Sequence, residues 1–163
     1  MVDMRFIDTI IEDYIVHQPV VLSSGIKNDC YYDMKSLMLD NIAWSQVGQI
    51  VAYDIRKKFP EVVYVAGMGI GGMIFAMRLA EFQLYPLIIR DNIKTHGLLK
   101  QVEGHAINGT PRTVIVDDVC TTGKSFIQTK RILRKNGLKT LGNYVLLKRK
   151  ESNFKCESFV SKW

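Results

Sequence analysis

Apolar residues recur at two spacings along this chain. In the first sixty residues the spacing is three to four, which predicts two amphipathic helices. The first helix is predicted from the spacing of Phe6, Ile7, Ile10, Ile11, Tyr14 and Ile15. The second covers Asn41–Phe59 and is terminated by Pro60. Between them, Val20–Leu22, a turn at Gly25 and Cys30–Met34 predict two short extended pieces.

After Pro60 the pattern changes to short β-branched runs that alternate with helical stretches. The predicted strands are Val62–Ala66, Pro86–Ile89, Thr113–Val116 and Leu141–Leu147, and the predicted helices are Gly72–Phe82 and Lys124–Asn136. This alternation predicts an α/β fold in which a parallel sheet is flanked by helices on both faces. A length of 163 residues suits one domain over 1–163. Ligands of such sheets bind at the carboxyl ends of the strands.

The segment Arg90–Gly109 has no periodic pattern and is long for a connection in a compact domain. Loops of this length are often lids over an active site, so we expect a mobile loop at about 90–109. Disorder and a hairpin with a weak pattern are the alternatives.

The composition is that of a globular protein, with 47% hydrophobic and 23% charged residues. No apolar tract is long enough to span a bilayer, and no export signal is visible. Three cysteines form no CxxC pair, which argues against a disulfide framework or a zinc site and favours a reducing cytoplasm. The net charge of +6 is spread over many segments, with a run only at Lys148–Lys150, and this does not favour nucleic-acid binding.

The run Val114–Ser125, VIVDDVCTTGKS, combines two chemistries at the end of a predicted strand. Adjacent carboxylates, Asp117 and Asp118, accept hydrogen bonds from vicinal sugar hydroxyls or help to hold Mg²⁺ through water. A glycine and hydroxyl side chains that open a helix bind a phosphate group. The run therefore predicts a sugar-phosphate site. A Walker A motif does not fit, because Asp118 stands where its first glycine is required. The structural alternative is a strand end followed by a helix cap.

A second glycine-rich run, Gly67–Gly72, lies between a predicted strand and a predicted helix. It satisfies the GxGxxG pattern of dinucleotide-binding folds, with Asp91 as the possible ribose acceptor. Such a fingerprint usually opens its domain, whereas about sixty residues precede it here, and it leaves Val114–Ser125 unexplained.

VIVDDVCTTGKS resembles the phosphoribosyl-pyrophosphate signature of type I phosphoribosyltransferases. The resemblance implies that Asp117 and Asp118 contact the ribose hydroxyls. The residues it implies for the 5-phosphate are Thr121, Thr122, Gly123, Lys124 and Ser125, although the side chains of Cys120 and Lys124 occupy variable positions. The residues it implies for pyrophosphate, through backbone amides, are Gly67, Met68, Gly69, Ile70 and Gly71.

Three more segments resemble orotate phosphoribosyltransferases in particular. Leu22–Asp33 is similar to the part of their hood over the pyrimidine, with Ser24, Gly25, Lys27 and Tyr31 as the matching residues and a hood from about 1–40. Arg90–Gly97 resembles their catalytic loop, with Arg90, Lys94, His96 and Gly97 matching and Asp91 in place of a lysine. Leu147–Glu151 is similar to the element that places Arg149 near the pyrimidine. Each segment also has an alternative interpretation that does not use the resemblance. Leu22–Asp33 would be an ordinary polar turn, Lys94 and His96 would be solvent-exposed loop residues, and Leu147–Glu151 would be a basic strand end.

The resemblance implies a cytoplasmic enzyme that transfers ribose 5-phosphate from phosphoribosyl pyrophosphate to orotate, giving orotidine 5′-monophosphate and pyrophosphate. Lys94, His96, Asp117 and Asp118 would be its catalytic residues. Mg²⁺ would bind through substrate and water near the two aspartates, with no direct protein ligand. A homodimer is implied, in which Lys94 and His96 act in the neighbouring site. A transferase for another base and a non-catalytic regulator that senses phosphoribosyl pyrophosphate remain the alternatives.

Overall fold

The computed structural model describes residues 4–21, 27–91, 100–104, 112–149 and 152–160. The chain divides into two compact units, Met1–Val47 and Gly48–Trp163. The expectation of one domain with a hood at about 1–40 stays a prediction. In the described part of the chain, no helix is both long and apolar enough to cross a membrane.

The first unit combines helices with short antiparallel ladders. Its elements are α1 (Met4–Glu12), β1 (Ile15–Val16), β2 (Val20–Val21), β3 (Lys27–Asn28), β4 (Tyr31–Tyr32), α2 (Met34–Leu39) and the start of α3 (Asn41–Lys58). Strand β1 pairs with β4, and β2 pairs with β3. The prediction that the first helix includes Ile15 was wrong, because this residue pairs with Tyr32 in a ladder.

Two aspartates begin the helices α2 and α3. The Asp33 carboxylate accepts hydrogen bonds from the amide and the hydroxyl of Ser36 (3.1 and 2.7 Å). Asp40 accepts from the amides of Ile42 and Ala43 at 3.0 and 2.9 Å. Side-chain caps of this kind satisfy amides that lack a partner inside the helix, so they fix where each helix starts. The helix α2 was not predicted, because six residues are too few to show a helical period.

The second unit contains the rest of α3 and the main sheet with its helices. Its further elements are β5 (Tyr64–Met68), α4 (Gly69–Ala80), β6 (Tyr85–Ile89), β7 (Val102–Glu103), β8 (Thr113–Cys120), α5 (Lys124–Lys135), β9 (Thr140–Lys148) and β10 (Glu157–Val160). The strand order among the described residues is β10-β9-β8-β5-β6-β7. All neighbours in this sheet are parallel except β6 and β7. The predicted parallel sheet is confirmed.

Consecutive residues of the central strands are buried, as expected for a sheet covered on both faces. On one face, Phe126, Ile132 and Leu133 of α5 form a core cluster with strand residues such as Ala66 and Ile115. On the other face, the buried Tyr144 donates a hydrogen bond to Asp54 of α3 at 2.8 Å. The ammonium group of Lys58 lies 2.7 Å from the same carboxylate oxygen, so the buried charge is paired.

Three parts of the sheet differ from the prediction. Strand β8 continues four residues beyond Val116 and includes Asp117 and Asp118. Val102–Glu103, inside the expected loop, pairs with the end of β6, so the hairpin alternative holds at the base of this segment. Strand β10 was not predicted, and it is parallel to β9 although no described residue between them is helical.

Candidate active site

The predicted site residues of the second unit follow or end neighbouring strands of one sheet. Met68 is paired with Ile89 across β5 and β6, and Val119 is paired with Leu147 across β8 and β9. Because these strands are parallel, their carboxyl ends meet at one edge. The glycine-rich run, the acid pair, Arg90 and Arg149 therefore lie along the same edge.

The run Gly67–Gly72 is a direct change from strand to helix. Gly67 and Met68 end β5, whereas Gly69 begins α4. A Cβ atom on Gly67 would lie 1.8 Å from the carbonyl oxygen of Gly72, so only glycine permits this turn. Gly69 has φ +71°, a second conformation that favours glycine. The turn presents the first amides of α4, which a helix leaves without an internal acceptor.

The two acidic residues of β8 point to different environments. Asp117 is 9% exposed, and its carboxylate accepts hydrogen bonds from the Ser125 hydroxyl (2.5 Å) and from the amide of Asp118 (3.1 Å). Burial raises the pKa of Asp117 from 3.8 to about 7, against the opposing effect of the Ser125 hydrogen bond and with the help of the Asp118 charge. Asp118 is half-buried and accepts a hydrogen bond from the amide of Val119 at 2.9 Å.

The glycine turn and the acid pair are in contact. A Cβ atom on Gly71 would lie 2.5 Å from the carboxylate of Asp118, and one on Gly72 would lie 3.3 Å from Asp117 Oδ1. Any side chain at position 71 would therefore displace the Asp118 carboxylate. Two motifs that are about fifty residues apart in the sequence form one local structure.

Asp91, the ribose acceptor of the dinucleotide alternative, has other partners. Its side chain accepts a hydrogen bond from Gln128, and its carbonyl oxygen accepts one from Gln101 at 3.2 Å. The carboxylate that lies against the glycine turn is Asp118. This arrangement favours the interpretation of Gly67–Gly72 as a turn that binds phosphoribosyl pyrophosphate over its interpretation as a dinucleotide-binding fingerprint.

The turn after β8 leads into the first turn of α5. Thr121 and Thr122 are exposed, and Gly123 is the N-cap of α5 with φ +74°. Gly123 provides no side-chain hydrogen bond to the helix, so the amides that follow it are not capped by this residue. Lys124 is exposed, while the hydroxyl of Ser125 is bonded to Asp117.

The cationic and hood residues are only partly described. Arg90 donates from Nε to Glu103 at 2.5 Å, and the amide of Arg149 donates to the carbonyl of Cys120 at 3.1 Å. Lys27 and Tyr31 lie on β3 and β4 of the first unit and are exposed. Ser24, Gly25, Lys94 and His96 lie outside the described residues.

A magnesium ion held through substrate and water would find two carboxylates here. In the described ranges, no three or more His, Cys, Asp and Glu side chains gather as a metal cluster. Asp117 and Asp118 are adjacent, and Asp118 is half-exposed at the glycine turn. Mg²⁺ usually keeps several waters and binds one or two carboxylates together with substrate phosphates, so this donor set fits it.

The segment after Arg149 contributes contacts that were not predicted. The ring of Phe154 lies against Gly123 and stacks on Phe126, with ring centroids 5.3 Å apart. Ser152 Oγ lies 3.4 Å from Cys120 Sγ. An apolar aromatic residue inside the polar stretch Ser152–Glu157 was the available signal, but a single residue does not indicate its partner.

Solved structures place this architecture in a known class. The chain matches the crystal structure of orotate phosphoribosyltransferase from Aeropyrum pernix with a TM-score of 0.71 and 28% identity, over 89% of this chain and 83% of that one. The structure of the Mycobacterium tuberculosis enzyme in complex with 5-phospho-α-D-ribosyl 1-diphosphate shares the fold, with a TM-score of 0.74 and 19% identity over 97% and 95% of the two chains. The fold is therefore that of a type I phosphoribosyltransferase.

Sequence similarity identifies the family within the type I phosphoribosyltransferases. The orotate phosphoribosyltransferase of Pyrococcus abyssi is 35% identical over 132 residues, which cover 80% of this chain and 72% of that protein. This chain belongs to the orotate phosphoribosyltransferase family. No protein-family model matches it.

Proposed function

We propose that this chain transfers ribose 5-phosphate from phosphoribosyl pyrophosphate to N1 of orotate. The contact of Gly71 with the Asp118 carboxylate carries the proposal, because it joins a pyrophosphate-binding turn to a ribose-binding acid pair. In the reaction, the bond between C1 of the ribose and the pyrophosphate oxygen breaks, and pyrophosphate leaves with the electron pair. A bond from N1 of orotate to C1 forms, and N1 loses its proton. The products are orotidine 5′-monophosphate and pyrophosphate.

The carboxyl edge offers complementary groups for each part of the donor. Amides of the turn Gly67–Gly71 bind the pyrophosphate, as expected at a helix N-terminus. Asp117 and Asp118 accept hydrogen bonds from the ribose hydroxyls, which orients the sugar for attack. The 5-phosphate binds at 121–125, where Gly123 opens α5 without a side-chain cap and the exposed Thr121 and Thr122 supply hydroxyl donors.

Mg²⁺ would lie near Asp117 and Asp118, held through substrate oxygens and water. When bound, Mg²⁺ supplies positive charge that stabilises pyrophosphate as a leaving group. The Ser125 hydroxyl holds one oxygen of Asp117 at 2.5 Å, which keeps this carboxylate in place beside the turn.

The remaining predicted roles concern the acceptor and the closing of the site. Arg149 binds the orotate carboxylate, to which a guanidinium is geometrically suited. Lys94 and His96 neutralise charge on the departing pyrophosphate and exclude water from the reacting sugar. Asp91 stands where the catalytic-loop motif that Arg90–Gly97 resembles has a lysine, so this chain offers one positive contact fewer to pyrophosphate.

A homodimer would let Lys94 and His96 reach the neighbouring site. Support comes from α4, where Ile70 and Met77 are 64% and 53% exposed and stand two helical turns apart on one side. Exposed apolar residues on one helix face are common where subunits meet. The three free thiols, Cys30, Cys120 and Cys156, agree with a cytoplasmic setting.

One observation favours the alternative of a non-catalytic regulator. Arg90 is paired with Glu103, and its neighbour Asp91 is negative, so the start of the expected catalytic loop carries little net positive charge. A protein that binds phosphoribosyl pyrophosphate without turning it over would tolerate this change.

The deciding experiment follows orotate absorbance with purified protein, phosphoribosyl pyrophosphate and Mg²⁺. Parallel reactions contain hypoxanthine, adenine, xanthine or uracil in place of orotate. Turnover of orotate supports the proposal, whereas turnover of another base alone assigns a different acceptor. Binding of the donor without turnover of any base favours the regulator.

A further inference from the structure

Residues 152–154, which follow β9, contact the phosphate turn, residues 121–125, next to its start and in its middle. Before the turn, Cys120 Sγ lies 3.4 Å from Ser152 Oγ. Within the turn, the Phe154 ring lies against Gly123. The amide of Phe154 lies 3.4 Å from the hydroxyl oxygen of Ser152, so the two contacts belong to one local structure.

The contact between Phe154 and Gly123 is close. A Cβ atom on Gly123 would lie 2.2 Å from two atoms of the Phe154 ring, so the ring fills the space of a side chain there. The same ring stacks on Phe126, with an interplanar angle of 21° and a centroid distance of 5.3 Å. Phe126 is fully buried in the first turn of α5. Phe154 therefore packs on both the cap and the first turn of this helix.

Gly123 needs such a support for a physical reason. Glycine occupies the left-handed region at no steric cost, but it also has access to most other backbone conformations. It has no side chain to hydrogen-bond the amides of α5, so no cap of its own fixes their direction. A ring packed on Gly123 removes the space into which this residue would rotate.

We propose that Phe154 is a positioning residue for the phosphate turn, which rests on the proposed function of 121–125. Phe154 does not touch the substrate. It holds Gly123 at φ +74° and thereby directs the first amides of α5 toward the 5-phosphate. The effect should be larger on the donor than on orotate, because the Phe154 ring packs directly on Gly123 and Phe126, whereas its link to Arg149 runs through the Ser152 amide, which donates to the Arg149 carbonyl at 2.9 Å.

The test measures binding of ribose 5-phosphate by calorimetry, without orotate and without turnover. Phe154→Ala should raise the Kd about tenfold, the factor expected when a charge-assisted hydrogen bond to the phosphate is weakened. Phe154→Tyr keeps the ring and should restore the wild-type Kd. In steady-state assays, Phe154→Ala should raise the KM for phosphoribosyl pyrophosphate by a larger factor than the KM for orotate.

Phe59 provides a matched control. Its half-buried ring packs on Gly142 at the start of β9, with a ring atom 2.4 Å from the position of a Cβ, so Phe59→Ala removes the same group from the same kind of contact. Gly142 lies at the opposite end of β9 from Arg149. Phe59→Ala should leave the Kd for ribose 5-phosphate unchanged.

The outcomes distinguish a failure of the positioning role of Phe154 from a failure of the proposed function. Wild-type affinity in Phe154→Ala, or equal weakening in Phe59→Ala, overturns the positioning role while the proposed function stands. A wild-type protein that binds no ribose 5-phosphate overturns the inference, whereas the proposed function stands or falls with orotate turnover. If Phe154→Ala does not fold, Phe154→Leu decides in the same assay, because it keeps an apolar side chain but not the flat ring. Weaker binding supports the role, and wild-type binding overturns it.

Discussion

Replacement of Asp117 by asparagine should make the protein more stable and less active. Burial raises the pKa of the Asp117 carboxyl group from 3.8 to about 7, so the folded chain holds a proton that the unfolded chain releases. Below the unfolded pKa both states are protonated, and the full stability is present. As the pH rises from about 4 to about 7, the unfolded state loses its proton first, and the free energy of unfolding falls.

The size of this effect follows from the two pKa values. The interval from 3.8 to about 7 corresponds to about 4 kcal/mol, at about 1.4 kcal/mol for each pH unit. Asparagine carries no charge and has the same shape. Its carbonyl oxygen can accept from the amide of Asp118, and its NH₂ group can donate to Ser125 Oγ, so both contacts have a replacement.

Urea denaturation at about pH 5 and about pH 8 measures the effect. The gain in unfolding free energy of Asp117→Asn over wild type should be about 3 kcal/mol larger at the higher pH. Asp118→Asn should give a smaller gain in the same direction, because the Asp118 charge is a lesser cause of the raised Asp117 pKa than burial. A gain that is equal at both pH values, or a loss at both, would refute the argument. Turnover of Asp117→Asn should fall at every pH, since a ribose acceptor is lost.

Three further predictions concern the site and the core. Gly71→Ala should lower kcat/KM about a hundredfold with little change in the urea midpoint, because the new Cβ displaces the Asp118 carboxylate; a near-normal rate would contradict this. Tyr144→Phe should lower the free energy of unfolding by about 2 kcal/mol, since the buried Asp54 loses a hydrogen bond, and wild-type turnover by the folded variant serves as the control. Lys94→Ala should lower kcat more than it weakens binding of ribose 5-phosphate, as expected for a residue that acts on the departing pyrophosphate. Equal kcat in wild type and variant would remove that role.

The residues of the site illustrate which part of it was accessible from the sequence. Gly67, Gly69 and Gly123 were predicted from their motifs as residues that bind pyrophosphate or phosphate, and Gly69 and Gly123 adopt positive φ values, which favour glycine. The hydrogen bond between Ser125 and Asp117 was not predicted, because the predicted strand ended at Val116. In the structure, β8 continues through both aspartates and buries the side chain of Asp117, which places it within reach of Ser125. The pairing of Arg90 with Glu103 depends on the ladder between β6 and β7. A strand of two residues is too short to show a β pattern in the sequence, so this ladder was not predicted.

By itself, the sequence determined the longer helices and strands of this protein and the chemistry at their ends. Helical spacing in Asn41–Lys58 and β-branched runs in β5, β8 and β9 act over a few residues, so they are visible in the chain. Only the tertiary structure decided the strand order, the contact of Gly71 with Asp118, and the packing of Phe154 on Gly123. These contacts join residues that are far apart along the chain. They follow from how the sheet and its helices bury their apolar faces together, which no local pattern specifies.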